Sequence, residues 1–277
     1  MRYTQFTFLT GGSAEQNDIL SAILGQIGFE SFEETEQNLK AYIQTNLFDQ
    51  EEFDTALESL SFRVVYSVEE IADQNWNSVW ESNFQPVTIA SRCHIRAPFH
   101  DAPAEGMDFD LVIEPKMSFG TAHHETTALM IQFLLDEAPQ GQRFLDMGCG
   151  TGVLAILAAK MGASDVTAID NDEWAYNNAI ENAERNHQTN IEVLLGDATL
   201  LGNLKPFDSI YANINRNILL NDMKAYSQVL KIGGTICFSG FYETDMDAIT
   251  QEANQNGLTF VKSESKNQWT AMCFNKQ

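Results

Sequence analysis

The sequence has no run of about 18 or more apolar residues that could span a bilayer. Its first residues, Met1-Arg2-Tyr3-Thr4-Gln5, also lack the apolar core of a secretory signal, so a cytoplasmic location is expected. Basic residues are few. Sixteen lysines and arginines stand against 39 aspartates and glutamates in 277 residues, a net charge of -23, and no basic cluster interrupts it. A surface this negative repels phosphate backbones and disfavours direct nucleic-acid binding, while it attracts a basic protein at long range. Cysteine is scarce as well. The four, Cys93, Cys149, Cys237 and Cys273, show no C-x-x-C pairing and no metal-ligand spacing, which predicts reduced thiols and no structural zinc.

What is present is an ordinary globular composition, 44% hydrophobic and 20% charged, on a chain long enough for two unequal domains. Residues 1–68 carry a pattern that closes on itself. Alternation predicts a strand over 3–9. Ser13-x-x-Gln16 opens a helix with Ile19, Leu20, Ile23, Leu24 and Ile27 on one stripe, ended by Gly28. Strands are expected at 30–35 and 39–44, a helix at 50–60 and a last strand at 63–68. The order β-α-β-β-α-β is the ferredoxin-like α+β arrangement.

Residues 69–86 read as a linker helix, with Trp76, Val79, Trp80 and Phe84 at helical spacing and Pro86 ending it. Beyond it, over 87–277, strand-like runs at 87–97 and 109–113 lead into alternating strands and helices, the signature of a parallel sheet covered on both faces. Strands are predicted at 143–147, 166–170, 191–195, 207–212 and 235–239, with helices at 154–161, 174–186, 217–229 and 245–256. A terminal hairpin is expected from 258–263 and 269–274.

The run Asp146-Met147-Gly148-Cys149-Gly150-Thr151-Gly152 falls where an open α/β sheet binds ligands, between the end of a strand and the start of a helix. Glycines at 148, 150 and 152 let a ligand approach the main chain. The spacing is G-x-G-x-G rather than the dinucleotide G-x-G-x-x-G, which speaks against a nicotinamide-dependent dehydrogenase. Asp146 would harm a pyrophosphate but favour the ammonium of a methionine moiety. The next strand ends in Asp170, placed to accept from ribose hydroxyls, and the third in Gly196-Asp197-Ala198, where an acid can accept from an adenine amino group. Three acids at the ends of three consecutive strands point to S-adenosyl-L-methionine as cofactor.

The segment from Trp76 onward, with the loop Met117-Ser118-Phe119-Gly120-Thr121-Ala122-His123-His124-Glu125-Thr126-Thr127, resembles the bacterial methyltransferases of ribosomal protein L-eleven, whose F-G-T-G-x-H-x-T-T loop it matches. The resemblance covers nearly the whole chain. It implies a class I, Rossmann-like, seven-stranded methyltransferase domain behind a ferredoxin-like substrate-recognition domain. It also implies cofactor contacts from Thr127, Gly148, Asp170 and Asn213, and a monomer that methylates the N-terminal amine and lysines of that protein, free or on the large ribosomal subunit.

Two positions depart from the family pattern. Ala122 replaces a loop glycine and asks for ordinary backbone angles, and Ile214-Asn215-Arg216-Asn217 stands where apolar and small residues are usual. His123 and His124 are adjacent and so point apart, no third ligand is evident, and sulfonium chemistry needs no metal. His124 reads instead as a group that orders the loop. Asn213, at the end of the fourth strand, is the candidate catalytic residue, its carbonyl accepting from an incoming amine. The alternatives are a methyltransferase of another protein, of RNA or of a small molecule, or a catalytically silent cofactor-binding module.

Overall fold

The computed structural model describes residues 3–71, 84–103, 106–116 and 118–277. The chain divides into two compact units, residues 1–84 and 85–277. The expected linker helix lies largely outside the described residues.

The first unit runs β1 (Tyr3–Leu9), α1 (Ala14–Gln26), β2 (Ser31–Glu34), β3 (Asn38–Gln44), α2 (Gln50–Glu58) and β4 (Tyr66–Ile71). Its antiparallel sheet has the order β2-β3-β1-β4, the ferredoxin-like topology. Alternation on β1 buries Phe6 and Phe8 on one face, where Leu20 and Leu24 of α1 and Phe53 of α2 close over them. Ser13 Oγ accepts the Gln16 amide and Asp49 Oδ1 that of Glu52, so both helices start on side-chain caps.

The second unit opens with β5 (Val87–Ile89), β6 (Cys93–Arg96) and β7 (Phe109–Val112) in a separate three-stranded sheet. The single strand expected over 87–97 is thus broken in two. Ala90 and Ser91 take φ of 52° and 53°, and the chain reverses between Ile89 and Cys93.

There follow α3 (Glu125–Glu137), β8 (Arg143–Met147), α4 (Val153–Lys160), β9 (Asp165–Asp170), α5 (Glu173–Arg185), β10 (Ile191–Leu195), β11 (Phe207–Asn213), α6 (Arg216–Val229), β12 (Leu230–Tyr242), α7 (Met246–Gln255), β13 (Leu258–Lys266) and β14 (Trp269–Lys276). The seven strands take the order β10-β9-β8-β11-β12-β14-β13. Neighbours from β10 to β12 pair parallel, while β14 pairs antiparallel with both β12 and β13.

Each strand sends alternate side chains to opposite faces, and both faces are covered. Phe144, Val166, Tyr211 and Cys273 pack against α3 and α4, whereas Leu145, Ile169, Ile210, Phe238 and Phe274 pack against α6 and α7. From β8 the chain proceeds outward to β9 and β10, then returns to β11 on the other side. The switch leaves a crevice at the C-terminal ends of β8 and β11, where open α/β sheets take ligands. No helix among the described residues is long and apolar enough to cross a membrane.

The cysteines correct one expectation. Cys93 and Cys149 are free and buried, but Cys237 on β12 and Cys273 on β14 are joined in a disulfide. They are 36 residues apart in sequence, and the antiparallel register sets them directly opposite each other. No local cysteine spacing could announce that pairing.

Candidate active site

The crevice holds a cavity of about 300 Å³ whose wall includes Gly148, Gly150, Asp170, Asp197 and Asn213. Three consecutive strand ends and the switch strand β11 thereby bring five of the six expected site residues to one place. Thr127 does not line it. It is 1% exposed in the first turn of α3, where its Oγ1 accepts from Asn213 Nδ2 at 3.3 Å. Asn213 Oδ1 is buried and has no hydrogen-bond partner.

The glycine loop turns back on itself as β8 ends, the amides of Gly148 and Cys149 both donating to Ile169 O on β9. Gly148 has φ of 70°, and a Cβ there would collide with the Ile214 side chain just past β11. Gly150, at φ 54°, lies so close to the Phe119 carbonyl that any side chain would strike backbone. That approach is fixed by two bonds from Thr151, its amide to Phe119 O at 2.9 Å and its hydroxyl to Gly120 O at 2.7 Å. The two motifs read separately in the sequence are therefore one docked structure.

Asp170 Oδ2 accepts the Gly150 amide at 2.8 Å and Oδ1 that of Asp172 at 3.0 Å. Each carboxylate oxygen keeps a second lone pair, so the group still has acceptor capacity toward the cavity. Asp197 Oδ1 accepts from the Thr199 amide and hydroxyl, and these bonds hold its carboxyl below the ordinary range.

Asp146 is a correction. It does not face the cavity. On β8 it shares the parity of Phe144, so it points to the opposite face of the sheet from Met147, and its Oδ2 accepts the Ala155 amide in the first turn of α4 at 3.0 Å. Burial pushes its carboxyl up to about 7, against the lowering effect of that amide and with a further rise from Asp170. It serves as an internal cap rather than as a partner for a ligand ammonium.

The expected loop-ordering part of His124 is visible. Its Nδ1 accepts the Thr126 amide at 3.3 Å as the N-cap of α3, and its ring packs between Phe119 and Trp269. Trp269 in turn packs on Tyr242, which extends an aromatic wall from the cavity rim. His123 turns away, to Thr121 and to the Gln85 carbonyl.

Ala122 overturns the expectation of ordinary angles. It is 2% exposed with φ of 67°, keeping the left-handed turn a glycine would make at a cost of about 1 kcal/mol. The other departure has a plain local use, since Asn215 Oδ1 caps α6 through the Asn217 amide at 2.8 Å and Arg216 pairs with Asp245.

The family model for ribosomal protein L11 methyltransferases (PrmA) matches residues 13–277. The chain belongs to this family. A ribosomal protein L11 methyltransferase of Bacteroides fragilis is 49% identical over 280 residues, covering 99% of each chain. One from Porphyromonas gingivalis is 49% identical over 93% of this chain and 90% of that protein. Among solved structures, a ribosomal protein L11 methylase of Lactobacillus delbrueckii subsp. bulgaricus aligns with a TM-score of 0.65 at 26% identity, over 70% of this chain and all of that one. A precorrin-6y C5,15-methyltransferase of Geobacter metallireducens, 14% identical over 60% of this chain and 94% of that one with a TM-score of 0.50, shares the fold alone. Family membership and these likenesses make the second unit a class I methyltransferase domain.

Sequence reasoning missed Asn171, Asp172, Ile218 and Asp222, which also line the cavity. Ile218 and Asp222 were legible only as helix residues, because their direction depends on how α6 lies over the sheet.

Proposed function

We propose that the protein transfers methyl groups from S-adenosyl-L-methionine to amino groups of ribosomal protein L11, the N-terminal α-amine and lysine ε-amines. The observation that carries this reading is the unpaired, buried Asn213 Oδ1 beside the glycine loop, an acceptor held ready for an N–H. The substrate's identity is supported by the names of the full-length relatives.

The residues fit the cofactor. Gly148 and Gly150 leave a cradle that any side chain would fill, Asp170 offers lone pairs to the ribose, and Asp197 offers one to the adenine amino group. S-adenosyl-L-methionine, when bound, supplies an electrophilic methyl on a positively charged sulfur. Asn213 Nδ2 donates to Thr127 Oγ1, which leaves Oδ1 to meet the incoming amine. Asn213 accepts one N–H of the neutral amine and so directs its lone pair at the methyl group. Neutralising an α-amine at pH 7 costs roughly 1.4 kcal/mol and a lysine roughly 4.6. Positioning can supply roughly 7 to 11 kcal/mol, so no dedicated base is needed.

The net charge of -23 favours a basic protein over RNA as substrate. In this reading the enzyme acts as a cytoplasmic monomer, and the ferredoxin-like unit recognises the substrate. Purified L11, labelled cofactor and mass spectrometry test it: methyl groups on the N-terminus and lysines are expected, and an unlabelled L11 beside a labelled RNA or other protein would overturn it.

A further inference from the structure

Cys237 and Cys273 belong to a group of side chains that the crevice does not use. The registers of β11, β12, β14 and β13 set Tyr211, Cys237, Cys273 and Lys262 side by side in one row across the sheet. The row turns to the face that α3 covers, and Glu137, the last residue of α3, reaches it there. Glu137 Oε1 lies 3.8 Å from Cys237 Sγ, while Oε2 accepts the Tyr211 hydroxyl at 3.2 Å. Lys262 Nζ lies 4.3 Å over the Phe133 ring of α3 and 3.7 Å from Asp136 Oδ2. Among the described residues, Glu137, Cys237 and Cys273 are the one group of at least three His, Cys, Asp or Glu side chains whose ligand atoms gather within 4.8 Å of one another. A separation of 36 residues between the cysteines hides the group from any search for metal-ligand spacing.

Reduction of the disulfide leaves the two sulfurs neighbours, because the ladder between β12 and β14 pairs the residues and their Cα atoms are 4.1 Å apart. The reduced pair offers two thiolates, soft ligands that suit zinc, beside a carboxylate oxygen. Zinc takes sulfur at about 2.3 Å and carboxylate oxygen at about 2.1 Å, and a tetrahedral angle then puts the two ligand atoms about 3.6 Å apart. The 3.8 Å between Cys237 Sγ and Glu137 Oε1 is already that span. Charge agrees. Two thiolates and a carboxylate carry three negative charges against the two positive charges of zinc, and Lys262, beside Cys273, supplies the third. Such a balance is needed where both cysteines are 0% exposed. Tyr211 is the outer partner that orients a ligating carboxylate, and the half-buried Glu137 gives an ion its way in.

We propose that in the reduced protein Cys237, Cys273 and Glu137 bind one zinc ion, which ties β12 and β14 to the end of α3 in place of the disulfide. Water from the Glu137 side completes the coordination. Binding releases the two thiol protons to solvent and moves no electron. The ion holds the fold together and takes no part in methyl transfer, so the inference stands apart from the methyl-donor reading and from the choice of substrate.

The full chain is purified in tris(2-carboxyethyl)phosphine, which takes the disulfide to two thiols and becomes the phosphine oxide, with water supplying the oxygen and the two protons. A count of four thiols after unfolding confirms the reduced state, and cobalt(II) then serves as a coloured probe for zinc. Reduced wild type should show a thiolate-to-cobalt charge-transfer band that saturates at one ion per chain and is bleached by zinc. The double variant Cys93→Ser, Cys149→Ser should keep the band, and Cys237→Ser, Cys273→Ser should lose it. Oxidised wild type keeps the fold but has no free sulfur at the site, so it should show no band, whatever the folding of the serine variant. Glu137→Gln should weaken zinc at least about tenfold in chelator competition, the scale set by outer-shell partners, which a direct ligand exceeds. Zinc at about a hundred times its dissociation constant should raise the melting temperature of the reduced protein by about 5 °C and leave the oxidised protein unchanged. Absence of the band in reduced wild type, a band that persists in the oxidised protein or follows Cys93 and Cys149, or unchanged zinc affinity in Glu137→Gln overturns the proposal.

Discussion

Asn213 and Thr127 lie 86 residues apart in sequence, yet the hydroxyl of the second orients the amide of the first, and the amide oxygen is left buried and unpaired. A buried acceptor without a partner is costly, and a site that fills it only during reaction gives that cost a use. Asn213→Ala should lower kcat about a hundredfold, the scale on which positioning errors act, with far less effect on cofactor affinity. Thr127→Val should lower kcat about five- to tenfold, the worth of one hydrogen bond, and Thr127→Ser should restore it. Normal turnover by the alanine variant in a single-turnover assay would exclude Asn213 from the chemistry.

Asp170 holds the glycine loop as well as facing the cavity, since its carboxylate takes the amides of Gly150 and Asp172. Removing it frees two main-chain donors and withdraws the acceptors that the proposed function assigns to the ribose. Asp170→Ala should weaken S-adenosyl-L-homocysteine by about a hundredfold or more in calorimetry, and Asp170→Asn by less, because the amide keeps one acceptor oxygen. Equal affinity in the alanine variant would refute the ribose assignment.

The alternation that revealed the doubly covered sheet is a local signal, because parallel strands such as β8 to β11 are short apolar runs ended by a glycine or a polar residue. The limits of β8 and β10 could accordingly be read to the residue. Gly148, Gly150, Asp170, Asp197 and Asn213 were legible for the same reason, each lying at or just past the C-terminal end of a strand. The direction of Asp146 was not, although its parity with Phe144 already placed it on the α4 face; the chemistry of the glycine motif outweighed the strand's period of two. Ala122 shows the opposite limit, a left-handed residue tolerated because its surroundings fix the turn. The bond between Cys237 and Cys273 and the seating of Phe119 on Thr151 depend on long-range register, which no sequence window contains.

Asp146 makes a pH-dependent contribution to stability whose sign follows from its raised carboxyl. Folding favours the neutral form, so the stabilising effect is complete below the ordinary value of 3.8 and is lost as pH rises toward about 7. The interval of about three units corresponds to an upper bound of roughly 4 kcal/mol. Asparagine mimics the protonated acid and can still accept the Ala155 amide. Asp146→Asn should therefore melt a few degrees higher than wild type at pH 8, and the two should converge near pH 4. Thermal unfolding at both values decides, and a variant less stable at pH 8 would show that the ionised carboxylate supports the fold.

The cysteines offer a count that the fold fixes in advance. Cys93 and Cys149 are buried, burial raising the first thiol to about 12 and the second well above its ordinary value, so neither presents a thiolate at pH 8. Cys237 and Cys273 are paired across β12 and β14 in the face of the sheet that packs on α3, with Glu137 Oε1 3.8 Å from Cys237 Sγ. A thiol reagent added to the native protein at pH 8 should find no reactive group. After unfolding without reductant it should find two, and after unfolding with reductant four. Four thiols without reductant would mean that the facing cysteines are unbonded in the protein as purified, and fast reaction in the native state would mean that the core around Cys93 or Cys149 opens.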